Sequence, residues 1–310
     1  MDEIILRAVS LTLVIAAGAA LRFFRLVGGE AGACVKTILM YLTLPAAIVT
    51  NFSKIERLDG AMLLLILMGI AANLVMILAG ACLTKSKSRE EKAVYMNCLP
   101  AYNIGAFCLP FVQSFLPPVG SVTACLFDAG NSLMCTGGTY AIAAEYLSEQ
   151  KKGIDFKEVG KRLFTSPPLV TYLVMIILSA ACVRIPRPVL TLLSPAAAAN
   201  PFVAMLMIGL LFRVELKRSY FLSIFKLVGL RHLFSFVMSL IYYFVLPFDL
   251  AVRQALVLVS FGPMSVVASV FTGKCGGDEG KASAANSVTI VCSVIEITGL
   301  LAVMGIYEAL

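Results

Sequence analysis

Ten stretches of this chain are apolar and long enough to cross a bilayer, and that repetition constrains the fold more than any motif. A helix needs about 20 mostly apolar residues to span the hydrocarbon core. The stretches are Ile4–Phe24, Ala31–Phe52, Ala61–Thr84, Ala93–Phe115, Val122–Tyr146, Pro168–Val183, Val189–Phe212, Leu230–Leu246, Leu250–Thr272 and Ala282–Ile306. Lipid offers no partner to backbone N–H and C=O groups, so each stretch must satisfy its own as a helix. The sequence therefore predicts an all-α polytopic membrane protein. Its composition agrees: 60% of residues are hydrophobic and 14% are charged, against about 45–50% and 25% in soluble domains. Disordered and coiled-coil proteins do not carry such an apolar excess.

The formal charge of +7 follows the spans. Seventeen Lys and Arg fall in or at the edge of the connections after spans 1, 3, 5, 7 and 9 (Arg22 closes span 1), and five (Lys54, Arg57, Arg184, Arg187 and Arg253) fall on the other side. Cytoplasmic loops collect positive charge, so both termini are expected outside a cytoplasmic membrane. No basic stripe with interleaved aromatics occurs, so no nucleic-acid partner is expected. The acidic start, Met1-Asp2-Glu3, predicts that the first span is retained as a helix and not cleaved as a signal. The segment Glu215–Val228 reads as an interfacial helix leading into span 8.

The longest hydrophilic connection, residues 148–165, divides the chain into two five-helix halves, 1–147 and 166–310. Five is odd, so the second half enters the membrane from the opposite side. If the halves share a fold, they are inverted repeats, as in many secondary transporters. Internal similarity supports this. Span 2 has Leu44-Pro45-Ala46-Ala47 and span 7 has Ser194-Pro195-Ala196-Ala197. Span 5 has Asp128-Ala129-Gly130-Asn131-Ser132 and span 10 has Ser283-Ala284-Ala285-Asn286-Ser287.

Spans 4 and 9 carry matching helix breakers. Span 4 reads Asn97-Cys98-Leu99-Pro100-Ala101-Tyr102-Asn103-Ile104-Gly105, and span 9 reads Ser260-Phe261-Gly262-Pro263-Met264-Ser265. Proline removes a backbone donor and clashes with the preceding turn, and glycine weakens the helix. Irregular backbone is tolerated in a bilayer only where it is buried in protein or lines a water-filled cavity. The two breaks thus predict a polar site at the repeat interface. Pro100 and Pro263 would mark the helix crossover, and Asn103, Gly105, Gly262, Pro263 and Ser265 would bind substrate. Half-helix N-termini there present free N–H groups and partial positive charge, which suits a carboxylate.

Two intramembrane carboxylates, Asp128 and Glu296, are candidates for proton or ion coupling, or for pairing with Lys36 or Arg231. Arg7 and Lys36 are expected to snorkel, and Arg231 and His232 to lie at the cytoplasmic surface. The nine cysteines include no Cys-x-x-Cys and are read as reduced, small hydrophobes. A single His and no nucleotide or hydrolase motif predict no metal, no other cofactor and no enzyme.

Taken together, Tyr41-Leu42-Thr43-Leu44-Pro45-Ala46-Ala47-Ile48, Asn103-Ile104-Gly105 with Leu109-Pro110, and Ser166-Pro167-Pro168 resemble the auxin efflux carrier family. The likeness is to its prokaryotic members, which include malate and malonate permeases. The resemblance covers the whole chain. It implies a fold like the sodium–bile-acid symporters, with two inverted five-helix repeats whose broken helices 4 and 9 cross. It also implies an elevator motion, a small organic anion as substrate (malate, malonate or an auxin-like acid), and a homodimer. The chain departs from the plant carriers in its short loop and in having Leu99-Pro100-Ala101 where they have Leu-Pro-Asn, which favours a mono- or dicarboxylate. The alternatives are a sodium-coupled bile-acid or steroid-type symporter, and a membrane sensor or scaffold that keeps the carrier fold.

Overall fold

The structure, a computed structural model, describes residues 2–54, 60–148, 156–212 and 217–304. Helix α1 is Asp2–Phe23. Helices α2 (Ala31–Ile38) and α3 (Leu44–Phe52) run on through a π turn, Leu39–Thr43. Helix α4 is Gly60–Leu83. Helix α5 (Arg89–Cys98) stops in mid-span, and the chain resumes with a π turn, Ile104–Cys108, and α6 (Leu109–Phe115). Helices α7 (Pro118–Leu133) and α8 (Thr139–Leu147) join through a third π turn, Met134–Gly138.

The second half follows with α9 (Phe156–Phe164), α10 (Pro167–Ala180), α11 (Arg187–Leu211) and α12 (Phe221–Phe244). Helix α13 (Leu250–Ser260) also stops in mid-span and resumes as α14 (Val267–Lys274), before α15 (Glu279–Val303) closes the series. Among the described residues there is no strand.

The protein is an all-α membrane protein. Among the described residues six helices are long and apolar enough to cross a membrane, and Ile104–Phe115, Pro167–Ala180 and Leu250–Ser260 are shorter apolar helices. Large apolar side chains such as Leu13, Leu67, Leu78, Phe225 and Ile295 point outward and are exposed. Helices apolar on every face belong in lipid or in a large core.

Two expectations need correcting. Residues 156–164 of the expected loop 148–165 form α9, while residues 149–155 lie outside the described residues. Residues 221–228, expected to be an interfacial helix ahead of span 8, are the first two turns of α12 itself, preceded by a 3-10 turn at Arg218–Tyr220. Residues 215–216 of that segment lie outside the described residues. Lys226 and Arg231 break the apolar run but not the helix, because long basic side chains can leave their backbone helical.

The helices pack in two groups. Helices α1, α2, α3, α10 and α11 pack mainly on one another, while α4, α5, α7, α8 and α12 to α15 pack around the broken segments. Within the second group α4 and α7 approach backbone to backbone. A Cβ on Gly69 would lie 2.1 Å from the Phe127 carbonyl oxygen, and one on Gly130 would lie 2.0 Å from that of Ile66. Only glycine permits such an approach, the usual device where helices associate in lipid. It also brings Asn73 of α4 within 3.1 Å of Asn131 of α7.

Candidate substrate site at the helix crossing

Both helix breaks form, and they lie against each other. Tyr102 and Met264 pair as an isolated antiparallel bridge. The Asn103 N–H donates to the Pro263 carbonyl at 2.8 Å, and the Ser265 N–H donates to the Ala101 carbonyl at 2.8 Å. Ala101 takes φ of 66°, the left-handed turn that swings the chain out of α5. Each unwound stretch thus satisfies part of the other's backbone, as a non-helical segment at membrane depth must.

Side chains satisfy more of it. Asn73 accepts the Ala101 N–H at 2.8 Å, and Asn131 donates to the Tyr102 carbonyl at 2.8 Å. On the other stretch the Met264 N–H donates to the Thr289 hydroxyl at 3.1 Å. Proline at 263, opposite Asn103, has no N–H to satisfy.

The crossing has two faces. On one, α5 and α13 end, and their last carbonyls converge on Arg231. Its Nη1 donates to Cys98 (3.2 Å), Leu99 and Pro100 (2.8 Å), and its Nη2 donates to Gly262 (3.0 Å). The Tyr102 ring lies 4.5 Å from the guanidinium. Arg231 is therefore not at the surface as expected. It is 1% exposed, near the middle of α12.

On the other face, α14 and the helical segment Ile104–Phe115 begin. They begin at a cavity of about 440 Å³, within the usual size range of small-molecule sites. Its lining includes Asn103, Gly105, Asp128, Ser265, Val267 and Lys36. Each of the three π turns also contributes: Met40 and Tyr41, Ile104 to Ala106, and Cys135 and Thr136. A π turn widens the helix and disturbs its hydrogen-bond ladder, and such turns favour functional sites. Two of them precede a proline, Pro45 and Pro110, that lacks the donor an α turn would use.

Asp128 lies at the inner wall, 4% exposed. It accepts hydrogen bonds from the Tyr172 hydroxyl (2.8 Å), Asn131 (2.8 Å) and Ser132 (3.4 Å). The Gly105 N–H, at the start of the half-helix, donates to it as well. A Cβ at 105 would sit 2.8 Å from Asp128 Oδ2, so glycine lets the carboxylate reach that amide. The pairing with Lys36 or Arg231 considered from the sequence is not what holds it.

Of the expected substrate residues, Asn103, Gly105 and Ser265 line the cavity. Gly262 and Pro263 do not; they lie behind it, and their carbonyls accept from Arg231 and Asn103. Pro100 likewise gives its carbonyl to Arg231. Glu296 is also away from the cavity, its Oε2 2.7 Å from His232 Nδ1 between α15 and α12. Lys36, expected to snorkel, lines the cavity mouth. Arg231, Tyr172, Asn73 and the π turns were missed. All nine cysteines are free.

No protein-family model and no curated protein sequence matches the chain.

Proposed function

We propose that this chain is a secondary carrier of a small organic anion, a mono- or dicarboxylate such as malate or malonate, working by elevator-type alternating access. The observation that carries the reading is the convergence of two half-helix N-termini on one cavity that also holds Lys36. Amide ends of helices attract carboxylates, and a lysine adds a full charge. In this reading Asn103 and Ser265 hydrogen-bond the guest.

Other features support the same mechanism. The antiparallel meeting of Tyr102 with Met264 fits two inverted five-helix repeats crossing at helices 4 and 9. The resemblance to the auxin efflux carriers points to the same fold. The two packing groups supply a scaffold (α1 to α3, α10 and α11) and a moving body (α4, α5, α7, α8 and α12 to α15). Asp128 on α7 and Tyr172 on α10 bond across the boundary between them. Protonating Asp128 would weaken that link, which gives a proton gradient a route to the motion. With both termini outside, the cavity opens to the cytoplasm, since Lys36 and residues 165–168 in its lining lie near basic connections.

The test is uptake into proteoliposomes of labelled malate, malonate and auxin-like acids, with and without an imposed pH gradient. At least one acid is expected to accumulate, with uptake falling about tenfold in Lys36→Ala for the loss of one charge-assisted hydrogen bond. If no anion in the panel moves, or if Asn103→Ala and Lys36→Ala leave uptake intact, the carrier reading fails.

A further inference from the structure

Arg231 is the largest side chain among the described residues that is fully buried. Its four acceptors are all backbone carbonyls, three from the end of α5 and one from the end of α13. No carboxylate among the described residues is one of its partners. A buried guanidinium is costly unless its surroundings are negative. Here the surroundings are negative because two helix C-termini, each with a partial negative charge, point at the same spot.

That cage of carbonyl oxygens at the C-terminal ends of broken helices is the ligand set with which carriers of discontinuous helices hold a coupling cation. We propose that Arg231 is a tethered substitute for such a cation. Its guanidinium fills the cage permanently, so folding and transport need no Na+, and removing the side chain opens the cage to a small monovalent cation. Arg231 is a positioning residue: it does not line the substrate cavity, but it holds the two unwound stretches whose far ends do. The transport consequence rests on the carrier reading. The cage does not, and it is tested without any substrate.

The experiment compares melting temperatures of the purified wild type, Arg231→Lys and Arg231→Ala in sodium, potassium or choline chloride, and with low millimolar guanidinium added to choline. The wild type is expected to melt at the same temperature in sodium and choline. Arg231→Ala is expected to melt lower in choline and to recover with sodium or with free guanidinium. Arg231→Lys, which keeps a tethered charge, is expected to stay near the wild type and to ignore the salt.

A wild type stabilised by sodium over choline would overturn the proposal, and so would an Arg231→Ala whose melting ignores every cation. If Arg231→Ala does not fold, Arg231→Gln replaces it, with sodium-dependent melting as the supporting result and sodium-independent melting as the contrary one. In proteoliposomes, wild-type uptake is expected to be unchanged when choline replaces sodium. A protein that moves no anion yet shows these melting shifts would sink the carrier reading and leave the cage standing.

Discussion

The two faces of the helix crossing are made from opposite ends of the same broken helices, yet they are finished differently. The carbonyl face is closed: α5 and α13 end on Arg231, which is 1% exposed. The amide face is left open on a cavity of about 440 Å³. There the protein's own carboxylate, Asp128, takes one helix-end backbone N–H, that of Gly105. Ser265, Val266 and Val267, at the start of the other half-helix, line the same space with Lys36. The chain supplies a resident cation where the helix ends are negative. It leaves part of its positive helix ends for something that arrives.

The largest expected effect breaks the closed face. Arg231→Met keeps the apolar stem and strips the donors, leaving buried carbonyls unpaired at about 1–3 kcal/mol each. Thermal unfolding in detergent should show the greatest loss of any single substitution at the crossing. Next is Asn131→Ala, which frees the Tyr102 carbonyl, one Asp128 oxygen and Asn73 together. With polar neighbours left to rearrange, a loss of about 1–3 kcal/mol is expected in the same assay.

The open face should respond in transport more than in stability. Asp128→Asn retains the shape and removes the titrating group. It is expected to fold, to carry out counterflow exchange, and to lose any response of uptake to an imposed pH gradient. Ser265→Ala removes one hydroxyl at the free amide end and should raise the substrate KM by roughly tenfold or less, the weight of one hydrogen bond. Smallest of all is Glu296→Gln. Its carboxylate meets His232 away from the cavity, so uptake should stay within about twofold of the wild type, less than half a kcal/mol. A larger loss there would extend the working site beyond the amide face.

Much of this was legible in the sequence because it rests on backbone chemistry. Prolines, glycines and an asparagine inside spans 4 and 9 forecast where the helices part, and the breaks lie at 99–103 and 261–266. Asp128 was legible because a carboxylate in an apolar run has few reasons to be there. What escaped depends on how helices face each other. Arg231 opens the apolar run that starts at Leu230, so it read as a boundary residue. The helix begins ten residues earlier, at Phe221, and carries Arg231 to its middle. Glu296, like Asp128, is a carboxylate inside an apolar span, but α15 turns it toward His232. The π turns leave little trace in residue type. Pro45 and Pro110 follow two of them, whereas Pro195 and Pro201 sit inside an uninterrupted α11. A proline therefore does not announce one.

The most direct test of the central claim is where the guest binds. A structure determined with a bromine-labelled dicarboxylate that inhibits uptake would place the anion by anomalous scattering. A peak is expected in the cavity bounded by Asn103, Ser265 and Lys36, with the carboxylate toward the start of α14. A peak on the Arg231 face, or between helices away from the crossing with the cavity vacant, would contradict it.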